Sequence, residues 1–171
     1  DIFKNPFVFP ATPNFSGYLY VIKDSDFLLY CWNTLLVVGV TIFVTLFVGS
    51  LAAYALANWK GRVSKVVYLS FLSGIMIPIR LGTINIFQII RALGLMGSLY
   101  GLIPVYIAWG LPIAVFVLTT FIQELPRDLM EVAAIDGASR IRVYFSIVLP
   151  LIRPALGTVA ILNLINIWND I

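Results

Sequence analysis

Long stretches of the chain carry no charge, and the charged residues between them come in clusters. Thr34 to Ala57 is a run of 24 uncharged residues, about 36 Å as a helix and enough to cross a bilayer with some tilt. Lys60, Arg62 and Lys65 follow at once. Val66 to Ile79 is a second uncharged run, of 14 residues, that meets Arg80 just after Pro78. Alone it is too short to span. If Arg80 snorkels toward the interface the helix extends to Ile84, which predicts a span over 66–84; an Arg80 held in lipid would instead mark a pathway. Ala92 to Gln123 is uncharged for 32 residues, interrupted by glycines and by Pro104 and Pro112, and predicts a kinked span over 99–122. The fourth predicted span covers 151–171, with Arg153 near its start and Trp168 near its far side.

Alternating these spans across a membrane sorts the cations. One side holds Lys60, Arg62, Lys65, Arg127, Arg140, Arg142 and Arg153, the other Lys4, Lys23, Arg80 and Arg91. The richer side is expected to be cytoplasmic. Residues 1–30, aromatic and without a long apolar run, are then an extracytoplasmic loop. Because the chain begins at Asp1 and stops at Ile171 just after an apolar run, it is expected to be a piece of a longer protein.

Composition agrees with the pattern. Of 171 residues 61% are hydrophobic and 11% charged, where a soluble domain carries about 25% charged residues. That argues against a water-soluble enzyme and for an integral membrane protein in the lipid bilayer. The chain has no His and one Cys, Cys31, so His-based metal sites and His-dependent nucleophilic catalysis are not available. No catalytic or metal-ligating set is expected. The net charge of +3 is spread without a basic cluster suited to nucleic acid, and there is no phosphate loop of the GxxxxGK[ST] form. Nucleotide-driven work falls to a partner.

The segment 123–150 differs from the rest. Eight of the 19 charges lie between Glu124 and Arg153. Pro126 can open a short helix with Asp128 and Glu131 near its positive end. Glu124, Arg127, Asp128 and Glu131 fall on one stripe, and Pro126, Leu129, Met130 and Ala133 on the opposite one. Glu131 either contacts a partner or is a solvated residue paired with Arg127. Gly137 permits a reversal after Asp136, whose carboxylate either steadies the turn or makes a contact of its own. Ser139 can cap a second helix from Arg140. Leu149 and Pro150 close the unit.

Glu131-Val132-Ala133-Ala134-Ile135-Asp136-Gly137-Ala138, followed by Ile147-Val148-Leu149-Pro150, resembles the EAA loop of ATP-binding-cassette importer permeases. The family pattern is Glu-Ala-Ala, three residues, Gly, nine residues and Ile-x-Leu-Pro; only Val132 departs from it, and the spacing is intact. Asn33-Thr34, Ala53-Tyr54-Ala55-Leu56-Ala57 and Trp168-Asn169-Asp170 are similar to the carbohydrate-uptake branch, of the kind that supplies the second permease of maltose and multiple-sugar systems. The resemblance implies an all-α polytopic membrane protein with four of six transmembrane helices present and a cytoplasmic helix–turn–helix. It also implies that Glu131, Ala133, Ala134, Asp136, Gly137, Ala138, Ile147, Leu149 and Pro150 form the coupling surface for a separate cytoplasmic ATPase dimer. The ATPase would carry the ATP and Mg, and this chain would bind no cofactor and catalyse no reaction. A second, different permease subunit and an extracytoplasmic sugar-binding protein are the other implied partners.

Asn163, Asn166 and Asp170 lie on one face of the fourth span, with Trp168 and Asn169 close by. Intramembrane amides either hold helices together or line a cavity. A sugar is recognised by amides, carboxylates and an aromatic platform, so these five residues are substrate-pathway candidates. Asn169 and Asp170 alternatively face the binding protein. An ATP-independent secondary transporter or channel is the competing function for the same intramembrane polar residues. A membrane scaffold without transport would require the loop match to be coincidence.

Overall fold

The computed structural model describes residues 15–23, 25–59 and 61–170, and every regular element among them is helical. The side chains of Ile79, Arg80 and Arg127 lie outside the described set, as do residues 1–14. The expected snorkelling of Arg80, the Arg127–Glu131 pairing and the start of the 1–30 loop therefore fall outside it. The chain divides into Asp1–Asn33 and Thr34–Ile171. The first part contributes α1 (Ser16–Lys23) and the opening turns of α2 (Phe27–Asn58).

α2 has 32 residues, about 48 Å of helix, because nothing between Phe27 and Asn58 is charged or proline. It begins seven residues before the predicted start at Thr34, so the segment 1–30 includes its first turn. α5 (Leu102–Gln123), with a 3-10 turn over Leu99–Gly101 ahead of it, forms the second long apolar helix. Ser98 opens that turn by accepting a hydrogen bond from the Tyr100 amide at 3.2 Å.

The prediction of one helix over 66–84 meets a different structure. α3 (Arg62–Met76) stops at Ile77, which is extended at φ −83° and ψ 117°; a 3-10 turn (Ile79–Gly82) and α4 (Thr83–Ala92) follow. The ring of Pro78 pushes the preceding residue out of the helical region. α3 is left at about 22 Å, short of the ~30 Å hydrocarbon core.

At the other end α6 (Arg127–Ile135) precedes a run of α7 (Arg140–Val143), a π-helical turn (Tyr144–Val148) and α8 (Leu149–Leu151). α9 (Arg153–Asp170) then departs at 72°. The break is at Ile152 rather than at Pro150. Pro154 has no N–H to continue the helix across it, and Pro150 removes another donor, which the wider π turn accommodates. Among the described residues two helices, Phe27–Asn58 and Leu99–Gln123, are long and apolar enough to cross a membrane, or three if the bent pair Arg140–Leu151 and Arg153–Asp170 is one span.

α5 is the central element, with α3 and α9 packed along it. Small residues allow the approach, as expected where lipid supplies no hydrophobic drive between helices. A methyl group on Gly74 would sit 3.1 Å from Pro112 Cγ, and one on Gly49 3.0 Å from Ala114 Cβ. The main core joins Ala53 of α2, Ala114, Leu118 and Ile122 of α5, and Ala155 and Val159 of α9 to Ala133, Val143, Val148 and Ile152 of the loop region. The 123–150 loop is therefore packed into the same core as the spans.

Candidate functional site

α6 starts after Pro126, whose φ of −56° suits a helix entrance, and carries Asp128 in its first turn. Glu124 belongs to the end of α5, not to α6, so the charged stripe drawn from Glu124 is interrupted by the Leu125-Pro126 corner. α6 ends in a left-handed cap. Gly137 has φ +75°, its amide donates to Ala134 O at 3.1 Å, and the Ala138 amide donates to Ala133 O at 2.9 Å. This pair of bonds is the Schellman arrangement, in which the residue after the cap must be left-handed and the next one packs back on the helix. Ala133 and Ala138 both lie in the core cluster. The spacing from Ala133 to Gly137 and Ala138 is thus the geometry of one turn. Ser139 then accepts from the Arg142 amide at 3.3 Å and starts the second helix.

Aromatic and hydroxyl groups fix this second helix to α2. Ser50 Oγ and Tyr144 Oη share a buried 2.7 Å hydrogen bond. The Tyr54 and Tyr144 rings lie 5.3 Å apart, and the Tyr54 hydroxyl donates to Arg140 O at 3.2 Å. The loop is therefore joined to α2 through hydrogen-bonded and ring contacts.

The loop turns two kinds of residue outward. Glu131 and Asp136 are exposed carboxylates, and Glu131 borders a cavity of about 220 Å³ beside Asn58 and Gln123. Val132 is 57% exposed, Ile135 85% and Ile141 71%, so apolar side chains stand open among the six charged residues between Arg127 and Arg142. Met130 faces the core, so of the stripe drawn through Pro126, Leu129, Met130 and Ala133 only Leu129 is an exposed apolar side chain on α6, and Val132, Ile135 and Ile141 are exposed beside it. Val132 and Ile135, three apart on one helix, are the signal that could have found this face. Of the other expected coupling residues, Ala133, Ala138 and Ile147 pack inward, Ala134 and Gly137 lie at the surface, and Leu149 and Pro150 are half-buried within the run Arg140–Leu151.

The intramembrane candidates separate into two groups. Asn163 is buried on α9 and donates from Nδ2 to Val159 O at 2.9 Å. A side chain on Gly110 would collide with its Oδ1 and would sit 3.2 Å from Thr45 Cγ2, so α2, α5 and α9 meet here. Asn163 and Asn166 border a cavity of about 100 Å³ with Tyr106, Trp109 and Gly110. The Tyr106 hydroxyl donates to Asp170 Oδ2 at 2.9 Å. Trp168 and Asn169 are exposed and do not line it. Tyr106, Trp109, Gly110 and Ile113 lie at i, i+3, i+4 and i+7 on α5, a face visible in the sequence but lost within a run that is apolar throughout. Among the described residues no three His, Cys, Asp or Glu side chains gather as a metal site.

Residues 28–171 match the family described as binding-protein-dependent transport system inner membrane component. A diacetylchitobiose uptake system permease protein of Streptomyces coelicolor is 32% identical over 170 residues, covering 99% of this chain and 56% of that protein. A trehalose/maltose transport system permease protein of Thermococcus litoralis is 35% identical over 159 residues, 90% of this chain and 56% of its own length. A trehalose transport system permease protein of Mycobacterium tuberculosis is 32% identical over 168 residues, 98% of this chain and 61% of its own. The chain spans a little over half the length of these relatives.

Proposed function

The chain belongs to the family of binding-protein-dependent transport system inner membrane components, and from that premise we propose that it is part of the pore-forming permease of an ATP-binding-cassette importer. The cargo is a carbohydrate, delivered by an extracytoplasmic binding protein. Relatives named for diacetylchitobiose, trehalose and maltose support the carbohydrate class.

The observation that carries the reading is the exposed apolar face of α6 and α7 on a loop joined to the spans. Val132, Ile135 and Ile141 offer contact area to a cytoplasmic ATPase, and Glu131 and Asp136 offer carboxylates to a basic partner. The Schellman turn keeps the knob short and stiff. Ser50, Tyr54 and Tyr144 transmit its displacement to α2, so that rigid-body closure of an ATPase pair moves the helices around the Asn163–Tyr106 region. ATP and Mg are held by the ATPase. A second, different permease completes the pore, and Asn163 and Asn166 line the route with Tyr106 and Trp109.

The test is ATP-dependent uptake by the full-length permease reconstituted with its ATPase, companion permease and binding protein. Glu131→Lys and Ile135→Glu are expected to abolish ATPase co-purification and uptake together. Uptake that persists without ATP or ATPase would establish an ATP-independent transporter instead.

A further inference from the structure

Behind the exposed face of α6 lies a cleft of about 620 Å³, bordered by Tyr54, Asn58, Trp59, Met130, Ala134 and Arg140. It sits where the end of α2 meets the α6–α7 turn, which the orientation proposed above puts at the level of the membrane interface. Its frame is fixed. The Tyr54 hydroxyl holds Arg140 O at 3.2 Å, and Asn58 Nδ2 donates to Tyr54 O at 2.8 Å and closes the end of α2. Two exposed donors stand at its rim. Neither the Arg140 guanidinium nor the Trp59 indole N–H has a hydrogen-bond or ion-pair partner among the described residues.

This combination matches one ligand chemistry. A guanidinium recognises phosphate through paired N–H bonds. An indole at the interface sits among glycerol and ester groups, where its ring is buried and its N–H is satisfied. Tyr54, Met130 and Ala134 give an apolar wall for the first carbons of an acyl chain. Basic pockets between helices on the cytoplasmic side take anionic headgroups. A soluble anion would use the guanidinium but leave the apolar wall empty.

We propose that this cleft binds an anionic phospholipid of the cytoplasmic leaflet, with the phosphate on Arg140 and the glycerol region against Trp59 and Tyr54. The lipid wedges between α2 and the α6–α7 turn, on the side of α6 away from Val132 and Ile135, and so stiffens the connection through which the loop moves the span. The assignment rests on the orientation proposed above, with 123–150 cytoplasmic.

The experiment uses the full-length permease assembled with its companion and ATPase in neutral detergent. Phosphatidylglycerol and, in parallel, phosphatidylcholine with the same chains are titrated in, and bound lipid is counted by native mass spectrometry. Phosphatidylglycerol is expected to be retained over phosphatidylcholine. Arg140→Gln weakens its retention about fivefold, the effect of one lost basic contact, while Arg140→Lys keeps most of it. Equal retention by the wild type and Arg140→Gln overturns the proposal. So does competition by glycerol 3-phosphate at equal concentration, which assigns the cleft to a soluble phosphate, or retention of the lipid by the permease pair prepared without ATPase but not by the full complex, which assigns it to the ATPase. Loss of the ATPase with phosphatidylglycerol retention intact contradicts the importer reading and upholds the lipid site.

Discussion

Gly137 separates a backbone requirement from a packing requirement. Its φ is +75°, and a side-chain carbon built there would find no atom within 4 Å. Bulk therefore has nothing to strike, and the cost of substitution is conformational. Holding an ordinary residue in the left-handed region costs about 1–2 kcal/mol, a five- to thirtyfold loss in the population of the closed turn. Asn tolerates this region better than Ala although it is larger. The expected order of damage is thus Asn below Ala, with Val worst because it is β-branched. The assay is hydrogen exchange at the Ala138 amide, whose bond to Ala133 O closes the turn, alongside ATPase co-purification. Damage that rises with side-chain volume, with Asn worse than Ala, would refute the conformational argument and place an unseen partner against Gly137.

Further outcomes follow from the same contacts. Gly110→Ala is expected to cost about 1–3 kcal/mol through the collision with Asn163, measured as a lower unfolding temperature of the purified complex; Asn163→Ala should recover much of it, as a double-mutant cycle would show. Ser50→Ala and Tyr144→Phe should each cost about 0.6–1.7 kcal/mol, with the double variant little worse than either single one because they remove the same hydrogen bond. Ser139→Ala should loosen the start of α7 by about 1 kcal/mol, read as faster exchange at the Arg142 amide. Val132→Ser and Ile141→Ser should leave the unfolding temperature unchanged, since both residues are exposed, yet weaken ATPase association at least tenfold in a titration, as loss of an apolar anchor does.

The two long helices were legible because charge-free length is nearly all that a bilayer asks of a helix. Thr34–Ala57 and Leu99–Ile122 both lie within observed helices. The 66–84 stretch had the apolar content but not the path, because Pro78 controls Ile77 and hydrophobicity counts do not register backbone breaks. Gly137 and Ser139 were readable as turn and cap from residue type alone. The outward face of α6 was less so. Met130 and Val132 are equally apolar, and only the packing of Ala133 and Met130 into the core shows which side is left open. Tyr106, Trp109 and Tyr54 were hidden for a related reason. Helices that are apolar all round give no periodic signal, so the partners of Asn163 and Tyr144 emerge only when the helices are brought together.

The central claim is that the 123–150 loop seats against an ATPase. The most direct measurement places a cysteine at the tip of its exposed face, Ile135→Cys, in a full-length permease otherwise free of cysteine and assembled with its partners. The account predicts a crosslink to the ATPase, and none from Ile161→Cys on the outer face of α9. Absence of a crosslink from Ile135→Cys in a complex that still carries out uptake would contradict it.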